Sequence, residues 1–99
     1  MISYNLTNVK GERMSKKVVV VTGGASGIGL CISHLLLKNN WDVVIVDLNV
    51  TTGETMDHAY CVQCNVCDPD SVKAMMAAVI DKYGKIDALI NNEIGRAHV

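Results

Sequence analysis

Apolar residues in this chain follow two patterns. Short unbroken runs alternate with stretches in which apolar positions recur every three or four residues. An unbroken run reads as a strand buried on both faces, and a recurring pattern as an amphipathic helix. The first strand spans Lys17 to Thr22 and holds four consecutive valines. Branching at Cβ suits them to a pleated, buried position. A helix follows from about Gly27 to Lys38, with Ile28, Ile32, Leu35 and Leu36 as its apolar face. Asn39 and Asn40 end it, because Asn tolerates the left-handed conformation at a helix C-terminus. The second strand is Asp42 to Asp47.

Asn49 to His58 is the least patterned internal segment. Thr51 and Glu54 have the spacing of a capping box, but Gly53 weakens a helix there, so only a short one is expected. The third strand is about Ala59 to Asn65. Asp68 is a good N-cap and Pro69 fits the first helical position. Val72, Met75, Met76, Val79, Ile80 and Tyr83 then recur with helical spacing, and Gly84 closes the helix. The fourth strand is Ile86 to Asn91. Strands alternating with helices predict an α/β fold with a right-handed parallel sheet of about four strands. No repeat or linker divides Met14 to Asn91, and 99 residues make at most one small domain.

Residues 1–13 are polar and without period. They read as a flexible tail or, alternatively, as mistranslated leader. Lys10 to Met14 is encodable as AAA-GGA-GAG-CGN-ATG, which carries a purine-rich GGAG just before ATG, as in a bacterial ribosome-binding site. On that reading translation starts at Met14 and the source is bacterial.

Composition excludes several classes. Half the residues are apolar (49%), which allows a packed core. The net charge is −1 and no basic patch is present, so no nucleic-acid partner is expected. The apolar runs fall far short of the roughly 18–20 residues that span a bilayer, so no membrane partner is expected either. Without a secretory signal pattern, a cytoplasmic location follows. Cys61, Cys64 and Cys67 read C-x-x-C-x-x-C, but an iron–sulfur run of that type needs a fourth Cys where Ser71 stands. An odd separation within a strand also sends Cys61 and Cys64 to opposite faces, so no metal site is assigned. Cys31, Met75 and Met76 read as packing residues, and His34 and His58 as surface or helix residues. Lys16, Lys17, Lys82 and Lys85 read as solvated charges.

The chemistry concentrates in Thr22-Gly23-Gly24-Ala25-Ser26-Gly27-Ile28-Gly29. A buried strand leads into this turn and a helix leaves it. Free backbone N–H groups and the positive end of the helix dipole therefore meet where a pyrophosphate could sit. Gly23, Gly27 and Gly29 have three tasks to share: turning off the strand, letting backbone approach phosphate, and packing helix on sheet. Thr22 and Ser26 can hydrogen-bond the turn or the phosphate. Asp47 ends the second strand 18 residues after Gly29. A carboxylate there can accept from both adenosine ribose hydroxyls and repels a 2′-phosphate, which favours NAD over NADP.

With these features the chain resembles the short-chain dehydrogenase/reductase family from Lys17 to Asn92. The resemblance rests on Thr22-Gly23-x-x-x-Gly27-x-Gly29, Asp47, Asn65-Val66-x-Asp68, and Asn91-Asn92 after Ile86 to Ile90. It implies the N-terminal half of a Rossmann-like, doubly wound sheet over residues 14–92. It also implies cofactor contacts from Gly23, Ser26, Gly27, Ile28, Gly29, Asp47, Asn65, Val66 and Asn91. The family usually has Asp where Asn65 stands, contacting adenine, and the Asn65 amide can both donate and accept there. Asn91 falls where the family stabilises the central sheet and approaches the cofactor ribose.

The family motif continues Asn-Asn-Ala-Gly, whereas this chain reads Asn92-Glu93-Ile94. Glu93 to Val99 is encodable as GAG-ATC-GGA-AGA-GCA-CAC-GTC, which from its second base spells a common sequencing adapter. Residues 93–99 are therefore expected to be an artefact. The family's catalytic Ser and Tyr-x-x-x-Lys lie beyond this point. Tyr60 and Tyr83 are followed four residues on by Cys64 and Asp87, so no catalytic residue is assigned. The resemblance implies an NAD-dependent alcohol/carbonyl oxidoreductase acting on a small molecule, with a homo-oligomeric parent and an inactive fragment. The alternatives are an S-adenosylmethionine-dependent methyltransferase and a non-catalytic NAD-binding regulator.

Overall fold

The four valines form the buried axis of a five-stranded sheet. In the computed structural model, which describes residues 16–92, β1 (Val18–Thr22) is buried along its whole length. The expectations for 1–13 and 93–99 lie outside the described residues. Next come α1 (Gly27–Lys38), β2 (Asp42–Asp47), β3 (Thr55–Met56), β4 (Ala59–Gln63), α2 (Pro69–Tyr83) and β5 (Ala88–Asn91). The sheet order is β3-β4-β2-β1-β5. β1 pairs with β2 and β5 in parallel, β2 with β4 in parallel, and only β3 with β4 antiparallel.

Alternate residues of the same strands feed two cores, because successive side chains point to opposite faces. Val18, Val20, Val44, Val46, Val62 and Cys64 pack with Met75 and Val79 of α2. Val19, Val21, Val43, Ile45 and Cys61 form the other core, against which Leu36 and Leu37 of α1 rest. Helices thus cover both faces, as in a doubly wound sheet. Cys61 and Cys64 lie in opposite cores and cannot share a metal.

Three expectations need correction. No helix forms between β2 and β4. The Glu54 carboxylate does accept from Thr51 N at 2.9 Å, but Gly53 takes φ +97° and breaks any helical turn. The chain instead forms a fifth strand, β3, which turns into β4 through Asp57 and His58. Both have positive φ, 49° and 75°, as a tight hairpin turn requires.

The inward face of α1 is also different. Gly29 and Ser33 are its buried residues, while Ile28 and Leu35 are 70% and 59% exposed and Cys31 is exposed. The helix lies so close to the turn that only small residues fit beneath it. On α2, Met75 is buried but Met76 is partly exposed.

Of the four lysines, finally, Lys16 and Lys82 stay exposed, as solvated charges do, while Lys17 and Lys85 are half-buried. Lys85 Nζ lies 3.0 Å from the buried Asp87 carboxylate, and Lys82 sits over the rings of Tyr60 and Tyr83. Lys17 stacks on Trp41, and Lys16 is 3.9 Å from Asp42.

Candidate functional site

The strand order sets the location. From β1 the chain steps outward through β2 to β4, then returns to place β5 on the other side of β1. The carboxyl end of β1 is therefore the point where the winding reverses, and open α/β sheets bind ligands in that crevice. Gly23 to Ser26 occupy it as the β1–α1 turn.

The turn is fixed by its neighbours. Gly23 N donates to Val46 O at 2.8 Å. Thr22 Oγ1 donates to Asn91 Oδ1 at 3.0 Å and accepts from Asn92 N at 3.0 Å. Asn92 Nδ2 reaches Gly23 O at 3.3 Å. The ends of β1 and β5 are thus joined through side chains as well as through the ladder.

Two glycines have specific reasons. A Cβ on Gly29 would stand 2.0 Å from Gly23 O and 2.8 Å from Asn92 Nδ2, so only glycine allows this helix approach. Gly27 has φ +57°, and a Cβ there would meet nothing within 4 Å. Its backbone faces open space, as a phosphate approach needs.

The two helix N-termini differ in electrostatics. Asp68 caps α2 by accepting from Asp70 N at 3.0 Å, and Asp70 adds a second carboxylate in the first turn. These satisfy and neutralise that helix end. Ser26, the N-cap of α1, makes no capping side-chain bond, and the first turn of α1 has no acidic residue. Neither a side-chain cap nor a first-turn carboxylate meets the N–H groups of α1.

Asp47 closes one side of the turn. It is 9% exposed. Its Oδ2 accepts from Ala25 N at 3.2 Å and its Oδ1 from Asn49 N at 3.1 Å. Cys64 N donates to Asp47 O at 3.1 Å, which brings the end of β4 alongside. Burial first, then the Glu54 and Asp47 carboxylates, push the nearby Cys61 thiol above its ordinary value.

The structure gathers Gly23, Ser26, Gly27, Ile28, Gly29, Asp47 and Asn91 around the carboxyl ends of β1, β2 and β5. Asn65 and Val66 follow β4 and stand one strand further out. Asn65 Oδ1 already accepts from Cys67 N at 3.0 Å, while Val66 is half-buried against the α2-side core. Thr22 bonds within the site, as its place in the glycine turn suggests, while Ala25 and Asn92 also take part in building it although sequence reasoning gives them no contact there. Their contacts join residues 22 to 70 positions apart, and only the doubled Asn91-Asn92 signals one of them.

These features define a Rossmann-like α/β sheet, and the chain belongs to the short-chain dehydrogenase family, whose model matches residues 17–95. It is 35% identical to tropinone reductase-like 2 of Erythroxylum coca, over 88% of this chain and 34% of that protein. It is 36% identical to short-chain dehydrogenase reductase 5 of Arabidopsis thaliana, over 85% and 35%. The ligand-free aldohexose dehydrogenase of Thermoplasma acidophilum superposes with TM-score 0.68 at 34% identity, over 78% of this chain and 29% of that one. The chain thus spans about a third of the length of the curated relatives it matches. Such relatives are reductases and dehydrogenases and give the methyltransferase reading no support. Those curated relatives come from plants, so they do not support a bacterial source. Among the described residues no helix is long and apolar enough to cross a membrane.

Proposed function

We propose that this chain is the cofactor-binding portion of an NAD(H)-dependent oxidoreductase that interconverts an alcohol and a carbonyl on a small molecule. The observation that carries this is the pairing of an α1 N-terminus without a side-chain cap or first-turn acid with the Asp47 carboxylate at the end of the adjacent strand. The first suits pyrophosphate and the second suits a ribose diol. Asp47 accepts one backbone N–H on each oxygen, which leaves each a further lone pair for a hydroxyl. Asn65, with Oδ1 engaged, offers its amide nitrogen to adenine.

NAD, when bound, supplies hydride transfer at its nicotinamide. This chain's residues hold and orient the dinucleotide. No Tyr-x-x-x-Lys is present in these 99 residues, so no catalytic residue is assigned within them. The parent protein works as a cytoplasmic homo-oligomer in this reading.

The test is titration of the labelled chain with NADH, NADPH and S-adenosylmethionine, followed by NMR shifts of Ser26, Gly27 and Asp47. NADH is expected to bind more than about tenfold tighter than NADPH, since setting a 2′-phosphate against a carboxylate costs several kcal/mol. Equal or tighter NADPH binding would sink the NAD assignment. Shifts with S-adenosylmethionine alone would sink the oxidoreductase reading.

A further inference from the structure

We propose that Asp47 is a positioning residue that braces the glycine turn, in addition to being a ribose acceptor. The Ala25 N–H lies in the middle of the turn, between the first glycines and the N-cap of α1. In this position it could point at a ligand, yet it donates to Asp47 Oδ2. The other oxygen, Oδ1, holds Asn49 N two residues further on, which fixes the carboxylate's own orientation. Asp47 itself is anchored on both sides. Val46 O takes Gly23 N on the β1 side, and Asp47 O takes Cys64 N on the β4 side.

The brace therefore runs from a rigid strand end to the glycine-rich Gly23–Gly27 turn. Hydrogen bonds to an ionised acceptor are the stronger kind, and this one is part-buried. Its effect is to hold the Ser26 and Gly27 backbone in phosphate-ready geometry before any ligand arrives. One carboxylate then serves both ends of the adenosine diphosphate moiety. It receives the ribose diol and sets the shape of the pyrophosphate cradle. This deepens the NAD reading and rests on it for the ligand, although the brace itself does not.

The test uses the isotopically labelled full chain. A through-hydrogen-bond coupling between Ala25 ¹⁵N and Asp47 ¹³Cγ is expected in the unmodified protein, and its absence overturns the brace. In Asp47→Ala, Ala25 amide exchange should accelerate about tenfold or more, the loss of one hydrogen bond to a charged group. Ile45 and Val46 amides report whether the sheet is intact, and an unchanged Ala25 rate in an intact sheet also overturns the brace. Nicotinamide mononucleotide separates the two roles, since it carries a phosphate but no adenosine ribose. Asp47→Ala should weaken its binding by about tenfold, as for any ligand that needs the braced turn. Weakened NADH with unaltered mononucleotide binding would make Asp47 a diol acceptor only. If the unmodified chain binds neither ligand, the NAD reading fails, and the coupling still decides the brace.

Discussion

At the scale of residues, the most constrained position is Gly29. Its missing Cβ is what lets α1 rest on the carbonyl of Gly23. Gly29→Ala should cost about 1–3 kcal/mol, the usual penalty of forcing atoms into a packed site, read as a lower midpoint in urea. Asp87 has comparable weight for a different reason. Its buried Oδ2 accepts Val18 N at 2.7 Å and faces Lys85. Asp87→Ala leaves a buried N–H and a lysine without their acceptor and should cost about 1.5–3 kcal/mol. Lys16→Ala, which breaks an exposed 3.9 Å pair, should change the unfolding free energy by less than about 0.5 kcal/mol. Gly29 is legible in the sequence, because glycine destabilises a helix and its place in the first turn of α1 points to close packing. The role of Asp87 is not legible, because its partner Val18 lies 69 positions away and nothing local marks it.

At the scale of elements, the two helices differ in how much of their placement is written locally. α2 carries its own instructions: Asp68 caps it, Pro69 starts it, and Gly84 ends it at φ +83°. Asp68→Ala should lower stability by about 1 kcal/mol through the lost cap. The bounds of α1, β2 and α2 follow from such local signals. The inward face of α1 does not. Its apolar period points to Ile28 and Leu35, whereas close approach to the turn selects Gly29 and Ser33. Packing distance, not hydrophobicity, decides the rotation of that helix. The segment between β2 and β4 departs in the other direction, since the capping pair Thr51 and Glu54 forms one of its contacts while Gly53 prevents the helix.

At the scale of the whole molecule, pH and the sheet edge set the stability. Burial, with nearby negative charge, raises the Cys61 thiol from its ordinary 9.0, and burial followed by Asp42 and Tyr60 raises the Tyr83 phenol from 10.0. Both groups hold their protons longer when folded than when unfolded. Above the ordinary values the unfolded chain binds fewer protons, so stability falls as pH rises. A urea midpoint that declines above about pH 9 is expected. Cys61→Ala should remove the first part of that decline. β5 is the last strand on its side among the described residues, and Leu89 on it is 44% exposed. An apolar edge invites pairing between copies, so Leu89→Lys should slow aggregation as read by light scattering. The central position of β1 has a further consequence, for biosynthesis. Translation delivers Val18–Thr22 before both of the strands that flank it, and β5 arrives nearly the whole domain later. Long-range parallel pairing of this kind is slow to form and leaves strand edges exposed meanwhile. Until Asn91 has left the ribosome, the most apolar of the described strands has a free side, and chaperone capture of the nascent chain should peak in that interval.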